Sequence, residues 1–204
     1  MKNCYIVGAG ELYGSFDPDK DDLVIAADGG YDALVRLGIR CDLLIGDMDS
    51  VSKIPDGIEI IRYKKEKDET DLHLAYLEGA RRGFHTFCIY GAVGGRSDHT
   101  LAAYSLLLFI AERGDRATLY GRGDVAFVIK NNATRVSGKA GKRVSVFAIG
   151  GNAVGVDIKG LYYTLQDATL TPSFPLGVSN EFTSSEAQIS VRDGALLVIC
   201  EQNP

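Results

Sequence analysis

The feature that most limits how this chain can fold is a change of hydrophobic period near residue 122. Before it, short apolar runs at Cys4–Val7, Leu23–Ala27, Leu43–Ile45, Glu59–Tyr63, Phe87–Tyr90 and Ala117–Tyr120 alternate with helical patterns at Tyr31–Leu37, Asp71–Arg82 and Thr100–Arg113. Gly38, Gly83 and Gly114 stand where helices stop. Such alternation predicts a mostly parallel sheet with helices on both faces. After Arg122 the helical period disappears. Short β-type runs follow at Val125–Ile129, Arg143–Ala148, Val154–Ile158, Gln188–Val191 and Ala195–Ile199. Turn signals at Asn131-Asn132, Gly150-Gly151, Pro172 and Asp193-Gly194 punctuate them, which predicts an antiparallel β-sandwich. The chain therefore reads as an α/β protein: an α/β domain over residues 1–122 and a β-sandwich domain over residues 123–204.

Charge narrows the function. Lys and Arg total 22 against 27 Asp and Glu, a net charge of −5, so no general field attracts nucleic acid or anionic lipid. A phosphate-bearing ligand would need local backbone N–H groups, a few cations, or a metal ion held by carboxylates. Cys4, Cys41, Cys88 and Cys200 are scattered without a C-x-x-C pair, as expected of reduced thiols in the cytoplasm. No apolar run approaches the roughly 18 residues of a membrane span. The expectation is a soluble protein with neither membrane nor nucleic acid as partner.

In an open parallel sheet, ligands sit beyond the carboxyl ends of the strands. The segments that follow the candidate strands are Gly8-Ala9-Gly10, Asp28-Gly29-Gly30, Gly46-Asp47-Met48-Asp49-Ser50, Lys64 to Asp71, and Gly91 to His99. Nearly every Gly/Asp cluster of the first half falls on that one edge. Asp47 and Asp49, two residues apart in an extended loop with Gly46 removing bulk, suit a hard divalent cation; the plain alternative is a turn with a local Asp cap. In Lys67-Asp68-Glu69-Thr70-Asp71, which opens a helix, Asp68 is assigned to capping and Asp71 to chemistry. Lys64, Lys65 and Lys67 are candidates to neutralise phosphate. Arg96 and Asp98 can grip a phosphate and cap or ligate, or form a structural salt bridge.

Two further signals compete. Gly8-x-Gly10-x-x-x-Gly14 with Asp28 mimics a dinucleotide fingerprint, but its last glycine comes one residue late and it leaves Asp47, Asp49 and Asp71 unused. In the second half, Gly160-Leu161-Tyr162-Tyr163 and Gly177-Val178-Ser179-Asn180-Glu181 offer a stacking surface and hydrogen bonds for a heteroaromatic ligand, or simply core and turn residues.

Taken in order, Ala27-Asp28-Gly29-Gly30, Gly46-Asp47-Met48-Asp49-Ser50, Lys67-Asp68-Glu69-Thr70-Asp71, Gly94-Gly95-Arg96-Ser97-Asp98-His99, Gly160-Leu161-x-Tyr163 and Gly177-Val178-Ser179-Asn180-Glu181 resemble the thiamine pyrophosphokinase family from about residue 4 to 200. The resemblance implies transfer of diphosphate from ATP to the hydroxyl of thiamine, giving thiamine diphosphate and AMP. It also implies a Mg²⁺ cofactor and a homodimer with the active site at the subunit interface. By the matched motifs, Asp47, Asp49 and Asp71 would hold the metal and, with Asp98, act in catalysis. Asp28, Gly29, Lys67 and Arg96 would bind ATP; Tyr163, Ser179 and Asn180 would approach thiamine. Asp71 or Asp98 would orient or deprotonate the alcohol. Some relatives carry tryptophan at the place of Tyr163, whereas this chain has none.

Overall fold

Parallel strands need long crossover connections, and the first half of the chain supplies helices for them. In a computed structural model that describes residues 2–53 and 56–202, six strands of that half, β1 (Cys4–Val7), β2 (Leu23–Ala27), β3 (Leu43–Gly46), β4 (Glu59–Arg62), β5 (Thr86–Tyr90) and β6 (Arg116–Tyr120), lie in the order β6-β5-β1-β2-β3-β4. All five pairings are parallel. The chain runs outward from β1 through β2, β3 and β4, then returns to the other side of β1 as β5. The carboxyl ends of β1 and β5 therefore form the point where strand order reverses, the place where such sheets bind ligands.

Helices α1 (Gly30–Leu37) and α2 (Asp71–Arg81) cover opposite faces. On one face Ala33 and Leu34 of α1 pack with Val7, Val24, Ala26 and Leu44. On the other, Gly79 of α2 comes so close to β1 and β5 that a Cβ there would lie 2.8 Å from the Phe87 ring and 2.9 Å from Cys4 Sγ. Tyr76 of α2 meets Phe87 edge-on, with ring centroids 4.9 Å apart. Every residue of β2 is buried, as strands covered on both sides require. Gly38 ends α1 in the left-handed region (φ +66) and donates to Leu34 and Val35 carbonyls, the stop its position predicts. Helix α3 (Ser97–Glu112) begins three residues before the expected Thr100. No described helix is long and apolar enough to cross a membrane.

Two compact units emerge: one reaching to Leu106 together with Asp115–Arg122, the other comprising Leu107–Gly114 and the chain from Gly123 onward. The second unit is antiparallel. In one sheet β7 (Asp124–Lys130), β14 (Ala195–Glu201), β9 (Arg143–Ala148) and β12 (Gly177–Glu181) are neighbours in that order. In the other, β11 (Leu165–Leu170), β10 (Ala153–Lys159), β13 (Glu186–Asp193) and β8 (Ala133–Ser137) pair. The expected turns fall on connections that carry the chain from one of these sheets to the other: Asn131 (φ +48) between β7 and β8, Gly150 (φ +76) between β9 and β10, and Gly194 (φ +102) between β13 and β14. Strands β8, β11 and β12 have no counterpart in the hydrophobic pattern. Each carries mostly polar or small residues and buries only one or two side chains, so its ladder rests on neighbours rather than on an apolar stripe.

Candidate functional site

The register of the parallel sheet builds the acidic edge. Because Ala27 pairs with Ile45, the next residues of each strand, Asp28 and Gly46, emerge side by side. The Asp28 N–H donates to Ile45 O at 2.7 Å. Gly46 (φ +151) lies so close that a Cβ would stand 3.0 Å from Asp28 Cβ, which is why this position takes glycine. Asp28 (φ +49) and Met48 (φ +68) both occupy the left-handed region, a conformation that costs energy and persists where the surroundings impose it. Met48 is buried in the core of the first unit beside Leu44 and Tyr90, leaving the carboxylates on either side of it at the surface. The Asp47–Asp49 segment is accordingly a turn, closed by Asp49 N–H donating to Asp47 Oδ1 at 3.1 Å, rather than the extended loop expected from spacing.

One carboxylate oxygen from each of Asp28, Asp47 and Asp49 lies within 4.8 Å of the others. Asp28 is only 8% exposed, and its Oδ1 is buried without a hydrogen-bond partner. Burial pushes its carboxyl above the ordinary carboxylate range; a hydrogen bond from Ser50 opposes this, and the charges of Asp71, Asp47 and Asp49 add to it. Asp49 is shifted the other way, chiefly by its hydrogen bond from Lys65 (3.0 Å) and then by Ser50 (3.0 Å). Three hard oxygen donors around one point, one of them unsatisfied, suit a hard divalent cation.

Asp71 stands at the first position of α2, lining the same cleft. Its Oδ1 is 2.8 Å from the Lys67 ammonium, an ion pair at an angle unsuited to a hydrogen bond. Burial disfavours the charged Lys67, but Asp71, Asp47 and Asp28 outweigh it and raise its pKa. The cap of α2 is Thr70 rather than the expected Asp68: Thr70, the last extended residue before the helix, accepts at Oγ1 from His73 N–H at 3.3 Å.

At the reversal point, Gly8 N–H donates to Tyr90 O and Gly10 N–H to Gly91 O, both at 2.8 Å. A Cβ on either glycine would lie 2.7 Å from Gly91 O. Backbone packing thus accounts for the Gly8-x-Gly10 pair. The cleft here has a volume of about 590 Å³, in the range of small-ligand sites, and Asp28, Asp47, Lys67, Asp71 and Arg96 line it. Arg96 forms a two-pronged contact with Asp98, Nη2 to Oδ2 at 2.6 Å and Nε to Oδ1 at 3.1 Å, which holds the Asp98 carboxyl below its ordinary range. Gly29 precedes α1, where a Cβ would meet Ala9 Cβ at 3.0 Å.

Of the residues expected around the ion, then, Asp47 and Asp49 come together and Asp28 joins them, while Asp71 is held by Lys67. Lys65, one lysine among several in the sequence, is singled out by its contact with Asp49. Tyr163, Ser179 and Asn180 belong to the second unit. Tyr163 is 65% exposed, and its ring meets that of Tyr162 edge-on, with centroids 4.9 Å apart. Ser179 is held at φ +57, its N–H donating to Ser145 Oγ at 3.1 Å. Asn180 is 3% exposed, and its side chain bonds the main chain.

Residues 18–119 match the model of the thiamin pyrophosphokinase catalytic domain, and residues 129–196 that of the thiamin pyrophosphokinase vitamin B1 binding domain. The thiamine pyrophosphokinase of Bacillus subtilis strain 168 is 26% identical over 190 residues, 89% of this chain and 88% of that protein. Among solved structures, a Bacillus subtilis thiamine pyrophosphokinase superposes with a TM-score of 0.88 at 22% identity, covering 100% of both chains. That of Geobacillus thermodenitrificans gives 0.85 at 24% identity over 98% of each, and that of Candida albicans 0.76 at 17% identity over 98% of this chain and 89% of its own. These structures share the fold.

Proposed function

The chain belongs to the thiamin pyrophosphokinase family, and on that premise we propose that it transfers diphosphate from ATP to thiamine, releasing AMP. The thiamine hydroxyl oxygen attacks the β-phosphorus of ATP. The bond from that phosphorus to the oxygen bridging to the α-phosphorus breaks, AMP leaves with the electron pair, and the hydroxyl proton passes to a base. Charge accumulates on phosphoryl oxygens, so positioning and cationic groups carry most of the catalysis.

The observation that carries this reading is the cluster of Asp28, Asp47 and Asp49 around the unpartnered Asp28 Oδ1, at the sheet edge where such folds bind nucleotides. These residues would hold Mg²⁺, with Asp71 beside them; when bound, the ion neutralises charge developing on the phosphates. Each cation of the cleft is engaged by a carboxylate: Lys65 by Asp49, Lys67 by Asp71, Arg96 by Asp98. In this proposal nucleotide phosphates draw those cations away. Transfer of Arg96 to phosphate frees Asp98 and transfer of Lys67 frees Asp71, so nucleotide binding uncovers the carboxylate that receives the proton. Asp28 and Gly29 contribute to the nucleotide side, while Tyr163 and Ser179 approach thiamine.

Mixing the protein with ATP, Mg²⁺ and thiamine and following products decides the reaction. AMP formed in step with thiamine diphosphate is expected; ADP as product, or no requirement for thiamine, rejects it. Assembly as a homodimer with the active site at the subunit interface is part of the proposal. The exposed apolar side chains Tyr162, Phe174, Leu176 and Val178 support it, and sedimentation at micromolar concentration tests it. Four free cysteines accord with a cytoplasmic setting.

A further inference from the structure

An exposed aromatic residue in irregular chain is ordinarily loose, yet the main chain of Tyr163 is gripped from inside the second unit. Asn180 Oδ1 accepts from the Tyr163 N–H at 2.9 Å, and its Nδ2 donates to the Tyr163 carbonyl at 2.7 Å. The same Oδ1 also accepts from the Glu181 N–H at 2.9 Å. Both oxygen lone pairs and one amide hydrogen are thereby used, on a side chain that is 3% exposed. The bonds reproduce a strand pairing with a side chain in place of main chain.

The surrounding backbone shows why the pairing needs a side chain. The segment 160–163 runs against 181–183: Thr183 N–H donates to Gly160 O at 3.1 Å, Leu161 bridges to Phe182, and Tyr162 N–H donates to Glu181 O at 2.9 Å. The next partner for Tyr163 would be the main chain at residue 180. There, however, β12 pairs with β9 through Asn180 and Val144, and its register shifts between Gly177 and Asn180, where Ser179 takes φ +57. Asn180 therefore completes the pairing with its amide. Tyr163, so anchored, is 65% exposed, and its neighbour Tyr162 is 70% exposed.

We propose that Asn180 is a positioning residue that clamps the Tyr163 backbone so that the exposed ring is presented in one orientation to the heteroaromatic part of the vitamin substrate. This deepens the functional reading above and rests on it for the identity of the ligand. It reassigns Asn180 from touching thiamine to acting through Tyr163. A preset ring orientation lowers the ordering cost of binding, so its loss falls on substrate affinity and leaves nucleotide affinity alone.

The absence of tryptophan from the chain provides a clean probe, since Tyr163→Trp introduces a single fluorophore at the site. In that background, time-resolved anisotropy should show a ring that turns with the protein when Asn180 is intact and a nanosecond local motion with Asn180→Ala. Asn180→Asp, which retains the acceptors but loses the donor to the Tyr163 carbonyl, should give an intermediate. In the otherwise native chain, Asn180→Ala should raise the KM for thiamine by ~10-fold while kcat and the KM for ATP stay within about twofold. A merely structural role would lower activity through the folded fraction without this split. Hydrogen exchange in the unaltered protein supplies a test independent of any variant's folding: the Tyr163 amide should be protected. An unprotected amide, or unchanged anisotropy in a folded variant, overturns the clamp. A loosened ring with unchanged thiamine KM in both Asn180→Ala and Tyr163→Ala overturns instead the reading that Tyr163 meets thiamine.

Discussion

Gly46→Ala tests the geometry of the acidic edge without removing any charge. The added methyl would sit 3.0 Å from Asp28 Cβ, 3.2 Å from its Cα and 3.4 Å from its N. Contacts this close are tighter than carbon atoms normally accept, so Asp28 or the Asp47 turn must give by a few tenths of an ångström. The φ of +151 adds backbone strain of about 1–3 kcal/mol for a residue with a side chain. For a chain of this size that lowers Tm by ~2–12 °C. The separation matters more to function: since a misplacement on the order of 1 Å costs up to ~100-fold in rate, a shift of a few tenths should cost several-fold. The kcat/KM for AMP release should fall ~3–10-fold, and titration of Mn²⁺ against the nucleotide-free protein should show weakened binding. Gly38→Ala is the control. It carries comparable strain at φ +66 but has nothing within 4 Å of the new methyl, so it should lower Tm while leaving turnover and Mn²⁺ affinity unchanged. Native turnover in Gly46→Ala, or an equal loss of turnover in Gly38→Ala, would refute the reasoning.

Asp49→Asn should lose ~100-fold or more in kcat with an unchanged thermal melt; retained turnover removes Asp49 from the metal set. Lys65→Met should tighten Mn²⁺ binding to the nucleotide-free protein several-fold, because the Lys65 ammonium competes for Asp49, and should do so more than Lys64→Met, which removes the same charge one residue away. Equal effects of the two would mean that only the general field acts. Glu78 accepts from Arg81 through two bonds and from Arg82 through one, each 2.7 Å, and the Arg81 hydrogen bonds foremost bring its carboxyl down to about 2. The stabilisation is complete above the unfolded value near 4.5 and disappears as pH falls towards 2. Glu78→Gln should therefore cost ~1–3 kcal/mol in urea unfolding at pH 7, with the gap to the native chain closing between pH 4.5 and 2. A gap independent of pH over that window would sink the argument.

The strands and helices of the first unit were legible because burial on both faces writes a continuous apolar run. Leu23–Ala27 and Cys4–Val7 coincide with β2 and β1 to the residue. Gly38 marks its helix end because a left-handed stop is a local requirement that glycine meets best. Strand β11 shows the limit. Its Leu165-Gln166-Asp167-Ala168-Thr169-Leu170 pairs with only one neighbour and buries Leu170 alone, so its strand character comes from β10 and leaves no local trace.

The site divides along the same line. That Asp28, Asp47, Asp49 and Asp71 share one edge follows from their place after strands or before a helix, which spacing reveals. Which carboxylates share one point depends on strand order and on the cations between them. Because β2 lies next to β3, Asp28 emerges against Gly46, and its oxygen reaches those of Asp47 and Asp49 across 19 and 21 residues of chain. Asp71 has the same chemistry and lines the same cleft, but Lys67 stands four residues earlier at the start of α2 and occupies its oxygen first. A motif names the residues able to bind a cation. Neighbours decide how much of each oxygen is left to offer: the Oδ1 atoms of Asp28 and Asp71 are both buried without a hydrogen-bond partner, but that of Asp71 sits against the Lys67 ammonium.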